Sequence, residues 1–127
     1  MYHDTLIRIQ NGFMRGKQRV KVPYSRLDFS ILELLTSIGY LESIQRKGRG
    51  VKRIIDVKLK YDSDKNPAVS KIKFVSRPSR PMYIGHSKIK PSHQGYGHFI
   101  ISTPQGVMEG MEARKKKVGG QLLFEIW

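Results

Sequence analysis

Near the start of the chain Leu6, Ile9 and Phe13 recur at helical spacing, and Gly16 ends the run. Asp4 stands where an N-cap would, so the spacing predicts a first helix opening there. Arg8, Asn11 and Arg15 fall on its opposite side, a pattern that suits a phosphate backbone or a solvated face. A short strand, Arg19 to Val22, is stopped by Pro23. Ser25 then opens the strongest helical pattern. Asp28 sits three residues on as capping-box partner, Leu27, Ile31, Leu34, Leu35 and Ile38 line one face, and Gly39 halts it.

Beyond Gly39 the period changes to two. Leu41 to Arg46 and Val51 to Tyr61 read as antiparallel strands joined by Lys47-Gly48-Arg49-Gly50. The second is expected to place Ile55, Val57, Leu59 and Tyr61 inward and Asp56, Lys58 and Lys60 outward. The tetrapeptide joins strand to strand and lacks the G-x-x-x-x-G-K-[ST] string, so it is a hairpin whose cations suit RNA or solvent alike. Asp62 to Pro67 is a polar, proline-containing connector, and the expected division is 1–66 and 67–127.

The second part reads as mainly β. Lys71 to Ser76 alternates as a strand, Arg77-Pro78-Ser79-Arg80-Pro81 forms a rigid basic turn, and Met82 to Ile84 is a second short strand. After an irregular stretch from Gly85 to Gly97, Phe99 to Ile101 form another strand. Ser102 and Thr103 lead into a turn of Pro104, Gln105 and Gly106, and then a short helix ends in Arg114, Lys115, Lys116 and Lys117. Gln121 to Trp127 closes the sheet, alternating Leu122, Phe124 and Ile126 against Leu123, Glu125 and Trp127. The fold class is therefore α+β. It combines an N-terminal helix-strand-helix-hairpin subdomain with a C-terminal, mainly antiparallel β subdomain carrying a short helix.

Charge turns this architecture toward a partner. Of 127 residues, 24 are Lys or Arg and 10 Asp or Glu, a net +14 shared as +7 by each half. A folded chain carrying that much self-repulsion suits a polyanion, and nucleic acid rewards it through counterion release. No segment pairs a wide apolar helical face with a basic one, so an anionic membrane is not the expected partner. Apolar runs are too short to cross a bilayer, and Met1-Tyr2-His3-Asp4 lacks a secretion signal, so a cytoplasmic location is expected. The absence of cysteine removes thiolate zinc sites and thiol nucleophiles.

Catalytic readings are poorly supported. His86, His93 and His98 cluster in a glycine-rich stretch, but their spacing is not that of helical zinc ligands, and no acidic residue lies between Ser70 and Gln105. Ser102 and Thr103 have no local base or orienting carboxylate. No catalytic residue, metal, cofactor or small-molecule substrate is expected. The loop from Ser102 to Gly106 instead offers hydroxyls and backbone groups to phosphates, 2′-hydroxyls or a base edge, and the cations at 114–117 stand beside it at a helix C-terminus. Tyr83 could stack on a base or be buried in the sheet. A duplex-DNA architectural protein and a histidine-dependent nuclease are the competing classes.

The string I-I-S-T-P-Q-G-V-M-E-G-M-E-A-R-K-K-K-V-G-G-Q closely resembles the bacterial form of the ribosomal protein S-eight family. Supporting matches are Leu6 to Gly12, Val22 to Arg26, Ile38 to Leu41, and Ser76-Arg77-Pro78 leading to Tyr83. The resemblance implies a two-domain α/β protein of the small ribosomal subunit. It would bind the central domain of small-subunit (16S-type) rRNA, contact neighbouring small-subunit proteins and, as in some bacterial members, bind its own messenger RNA. It places the main RNA contact at Ser102 to Val107, with Pro104 where the family has a third serine, Gln105 at a usual lysine, and Glu109-Gly110 in place of Thr-Asp, a good hydroxyl N-cap.

Overall fold

The structure, a computed structural model, describes residues 2–77, 79–90 and 97–127, with the backbone alone at position 52; Pro78 and His93 lie outside the described residues. Two compact units, Met1–Ser70 and Lys71–Trp127, divide the chain. Both are built from helices and antiparallel strands, so the α+β class holds.

The first unit contains α1 (Tyr2–Met14), β1 (Arg19–Pro23), α2 (Arg26–Ile38), β2 (Leu41–Lys47), a single 3₁₀ turn (Gly50–Lys52) and β3 (Ile54–Leu59). Its sheet has the order β1-β3-β2, antiparallel throughout. Leu6, Ile9 and Phe13 of α1 and Ile31, Leu32 and Leu35 of α2 are buried, as are Val22, Ile55, Val57 and Leu59 of the sheet. Gly39 ends α2 at φ 112°, the left-handed conformation that glycine adopts without steric cost.

Several expectations change here. Asp4 does not cap α1 but lies within its first turn, where a carboxylate still favours the helix dipole. The Ser25 hydroxyl does accept from the Asp28 amide, at 3.0 Å. The Asp28 carboxylate, however, is buried and accepts from the Thr5 hydroxyl of α1 at 2.8 Å instead of completing a capping box. The buried face of α2 runs through Asp28, Ile31, Leu32 and Leu35. Leu27 lies about 40° beyond Ile31, at the edge of that face, and is exposed. Val51 belongs to the 3₁₀ turn and not to β3. Asp56 points away from the core, as its alternation requires, yet it is buried, because the side chains of Lys47 and Arg19 fold over it at 3.0 and 3.4 Å.

The second unit contains β4 (Ile72–Phe74), β5 (Tyr83–Ile84), a 3₁₀ turn (His86–Lys88), β6 (His98–Thr103), β7 (Gly106–Glu109), α3 (Gly110–Lys115) and β8 (Gly120–Ile126). The order is β4-β8-β6-β7, with β5 also paired to β8. β7 was not anticipated, because Gly106 begins a strand, and Ser102 and Thr103 end one, so only Pro104 and Gln105 form the turn. The expected alternation of β8 is also interrupted. Leu122 pairs with Ile101 but Phe124 pairs with the next residue back, Ile100, leaving Leu123 as an irregularity in the ladder. Leu122 and Phe124 therefore project to opposite faces. On the Leu122 face Ile89, Ile101, Met108 and Ala113 form a buried cluster. On the other, Phe74 meets Phe124 edge-on at 6.5 Å.

Candidate nucleic-acid interface

The irregularity in β8 assembles a polar row at one end of the second sheet. Tyr83 of β5 lies opposite Gln121 of β8, Gln121 opposite Ser102 of β6, and Ser102 opposite Val107 of β7. Directly paired residues share a face, so four side chains on four strands stand side by side. Tyr83 is 74% exposed, which settles its alternatives against burial in the sheet. The Ser102 hydroxyl and the Gln121 amide make no side-chain hydrogen bond among the described residues.

Backbone geometry fixes this row. Ser76 is fully buried, and its hydroxyl accepts from the Met82 amide at 2.9 Å and donates to the Leu122 carbonyl, clamping the start of β5 onto β8. Gly120 passes so close to the Ser102 carbonyl that a Cβ there would collide with it, and a Cβ on Gly119 would lie 2.5 Å from the Ile84 carbonyl oxygen. The Gly119-Gly120 pair is thus a packing requirement, because any side chain would push β8 away from β5 and β6.

The turn beside the row is self-contained. The Thr103 hydroxyl accepts from the Gln105 amide at 3.1 Å and donates to the Gly106 carbonyl at 2.8 Å. Thr103 is 9% exposed, which corrects the expectation of a pair of exposed hydroxyls: only Ser102 presents one. Pro104, Gln105 and Gly106 are exposed at the tip, and Gly106 has φ 116°. Glu109 takes the capping role at α3, accepting from the amides of Met111 at 2.9 Å and Glu112 at 3.3 Å, so the missing hydroxyl cap is replaced by a carboxylate. Arg114 donates to the Ile89 carbonyl at 3.3 Å, and Lys116 pairs with Glu112 at 3.1 Å. Lys115 and Lys117 are exposed without a carboxylate partner among the described residues.

In the first unit, Arg8, Asn11 and Arg15 come together with three cations that sequence reasoning missed. They line a groove of about 460 Å³ with Lys17, Arg19 and Lys21, floored by Gly12 and Val20. Gly12 permits this approach of α1 to β1, since a Cβ there would lie 2.6 Å from Val20 Cγ2. Among the described residues only Arg19 of these cations has a carboxylate partner, Asp56. The Lys47 ammonium, assisted by Arg19 and Lys21, holds that carboxyl below its ordinary range against the opposing effect of burial. The missed signal was the recurrence of cations at Lys17, Arg19 and Lys21, in and just before the strand that lines this groove with α1.

Arg77 sits in a separate recess of about 310 Å³ with Val75, Arg80 and Met82. Its backbone and that of Arg80 exchange hydrogen bonds of 3.2 and 2.9 Å across the turn. His86 lies in a 3₁₀ turn and His98 opens β6, and among the described residues no group of three His, Cys, Asp or Glu side chains could hold a metal ion. No helix among the described residues is long and apolar enough to cross a membrane.

Comparison with known proteins agrees along the chain. The family model described as Ribosomal protein S8 matches residues 2–127. A small ribosomal subunit protein uS8 from Nautilia profundicola is 40% identical over 124 residues, covering 98% of this chain and 95% of that protein. One from Nitratiruptor sp. is 38% identical over 127 residues with the same coverage. A third, from Vesicomyosocius okutanii, is 40% identical over 124 residues, covering 98% and 94%.

Proposed function

The chain belongs to the ribosomal protein S8 family, and from that premise we propose that it is a structural constituent of the small ribosomal subunit that binds the central domain of small-subunit rRNA directly and supports subunit assembly. The observation that carries this reading is the row Tyr83, Gln121, Ser102 and Val107 beside the Pro104-Gln105 turn. An exposed ring offers a stacking surface, while a hydroxyl and an amide with no side-chain partner among the described residues can hydrogen-bond 2′-hydroxyls and base edges in a shallow RNA minor groove. The row carries no charge of its own. Lys115 and Lys117 in this unit, and the groove formed by Arg8, Asn11 and Arg15 in the other, supply the phosphate attraction that orients it. Neighbouring small-subunit proteins are further partners, and the chain's own messenger RNA, where it presents the same minor-groove surface, would be read by the same row.

The test is equilibrium binding to a transcript of the rRNA central domain, with duplex DNA as competitor at physiological salt. The transcript is expected to bind at least a hundredfold tighter. Equal affinity would reduce the protein to a generic polyanion binder and support the DNA-binding alternative.

A further inference from the structure

Tyr24, between β1 and α2, has two guanidinium groups against its ring. Arg53 lies 4.8 Å and Arg46 5.5 Å from the ring centroid. The arrangement is anchored from below: the Tyr24 amide donates to the Arg53 carbonyl at 3.2 Å, Arg53 Nε donates to the Gly50 carbonyl at 3.2 Å, and Phe29 packs against Tyr24 with centroids 5.9 Å apart. Both arginines are exposed, as is Arg49 at the neighbouring hairpin tip. None of the three has a carboxylate partner among the described residues. Asp56, in β3 between them and the groove, is already engaged by Lys47 and Arg19.

Two like charges against one ring repel each other. The ring quadrupole offsets part of that repulsion and restricts both side chains, leaving their outward N–H groups unengaged. A bound anion would remove the rest. Guanidinium forks match phosphate oxygens two at a time, and a stacked arginine loses little rotamer freedom on binding. The residues of the groove, Arg8 to Lys21, do not include this cluster.

We infer that Tyr24, Arg46 and Arg53, with Arg49 beside them, form a second phosphate-backbone contact of the first unit, engaging RNA independently of sequence. The inference rests on the RNA-binding reading and adds to it a site in a different element. An acidic segment of a neighbouring protein is the other chemistry these cations could take; RNA is favoured because the hairpin offers adjacent forks with only one apolar side chain, Val51, exposed beside them.

The experiment compares Arg46→Gln/Arg53→Gln with the unaltered chain on the rRNA central-domain transcript across a salt series. A matched variant, Lys60→Gln/Lys65→Gln, removes the same charge elsewhere. The double arginine variant is expected to bind about ten- to a hundredfold more weakly, with a log–log salt slope shallower by about 2, while melting at the same temperature; the lysine variant should change the slope by less than half as much. Because the chain has no cysteine, Val51→Cys carrying a tethered hydroxyl-radical source should also cut the transcript at a discrete stretch. Unchanged affinity and slope with no cleavage from position 51, while the unaltered chain binds the transcript, would overturn the second contact and leave an acidic protein segment as its occupant. Failure of the unaltered chain to bind would overturn the RNA-binding reading itself, and with it this one.

Discussion

The Thr103 hydroxyl is closed onto Gly106, donating to its carbonyl at 2.8 Å, while adjacent Ser102 directs its own hydroxyl to the opposite face of the strand, beside Gln121. Two consecutive hydroxyls of one motif therefore do different work. Ser102→Ala is expected to weaken binding to the central-domain transcript by about 1–3 kcal/mol with no change in melting temperature. Thr103→Val should lower both, because the Gln105 amide and Gly106 carbonyl lose their partner, and Thr103→Ser should recover most of each. Wild-type affinity in Ser102→Ala, measured by titration, would remove the row from the recognition surface.

The carboxylate cap of α3 can be tested separately. Glu109 satisfies two amides at the start of a six-residue helix. Glu109→Ala should cost about 0.5–2 kcal/mol of stability in a denaturant titration. Glu109→Thr should recover part of it, since a hydroxyl is the alternative cap.

Asp56 sets an acid limit. Its carboxyl is held below the ordinary value of 3.8, chiefly by the Lys47 hydrogen bond. A carboxyl whose folded pKa is depressed contributes stability that is fully present above the unfolded value and is lost as pH falls through the folded one. The unaltered chain should therefore lose this contribution progressively below about pH 5. Asp56→Asn should be less stable at pH 6, yet show a shallower decline on acidification, as read by melting temperature against pH. A parallel decline in both proteins would show that the pair contributes nothing.

Gly12 and Val20 couple the groove to the core. Alanine at position 12 would favour the helix by up to about 1 kcal/mol, but its Cβ would meet a branched side chain at 2.6 Å. Gly12→Ala should therefore destabilise by about 1–3 kcal/mol. Val20→Ala in the same chain should reverse part of that loss, and additive effects in the double-mutant cycle would disprove the contact.

How much of this was legible in the sequence depended on the range of the interaction. The Ser25 and Gly39 caps were readable because each acts within one turn of chain. The outward direction of Asp56 was legible from alternation, but its burial was not, because that comes from Arg19 and Lys47, on two other strands. The row of Tyr83, Gln121, Ser102 and Val107 was only half visible. Tyr83 and Ser102 stood out as residue types, but Gln121 joins them only because of the irregularity at Leu123, which strict alternation does not anticipate. Thr103 looked equivalent to Ser102 until the two were placed on opposite faces of one strand.

β8 gives the second unit an order of construction. It pairs with β4, β5 and β6, and it follows all three in the chain. During synthesis, which exposes the chain from its N-terminal end, those strands must wait with unpaired edges until Gly120 to Ile126 emerge. In the first unit the last strand, β3, likewise pairs with both earlier strands, but it ends at Leu59, so that sheet can close while the second unit has yet to emerge. A nascent chain would thus present its basic groove to RNA before its hydroxyl row exists, so capture by charge would precede recognition by shape.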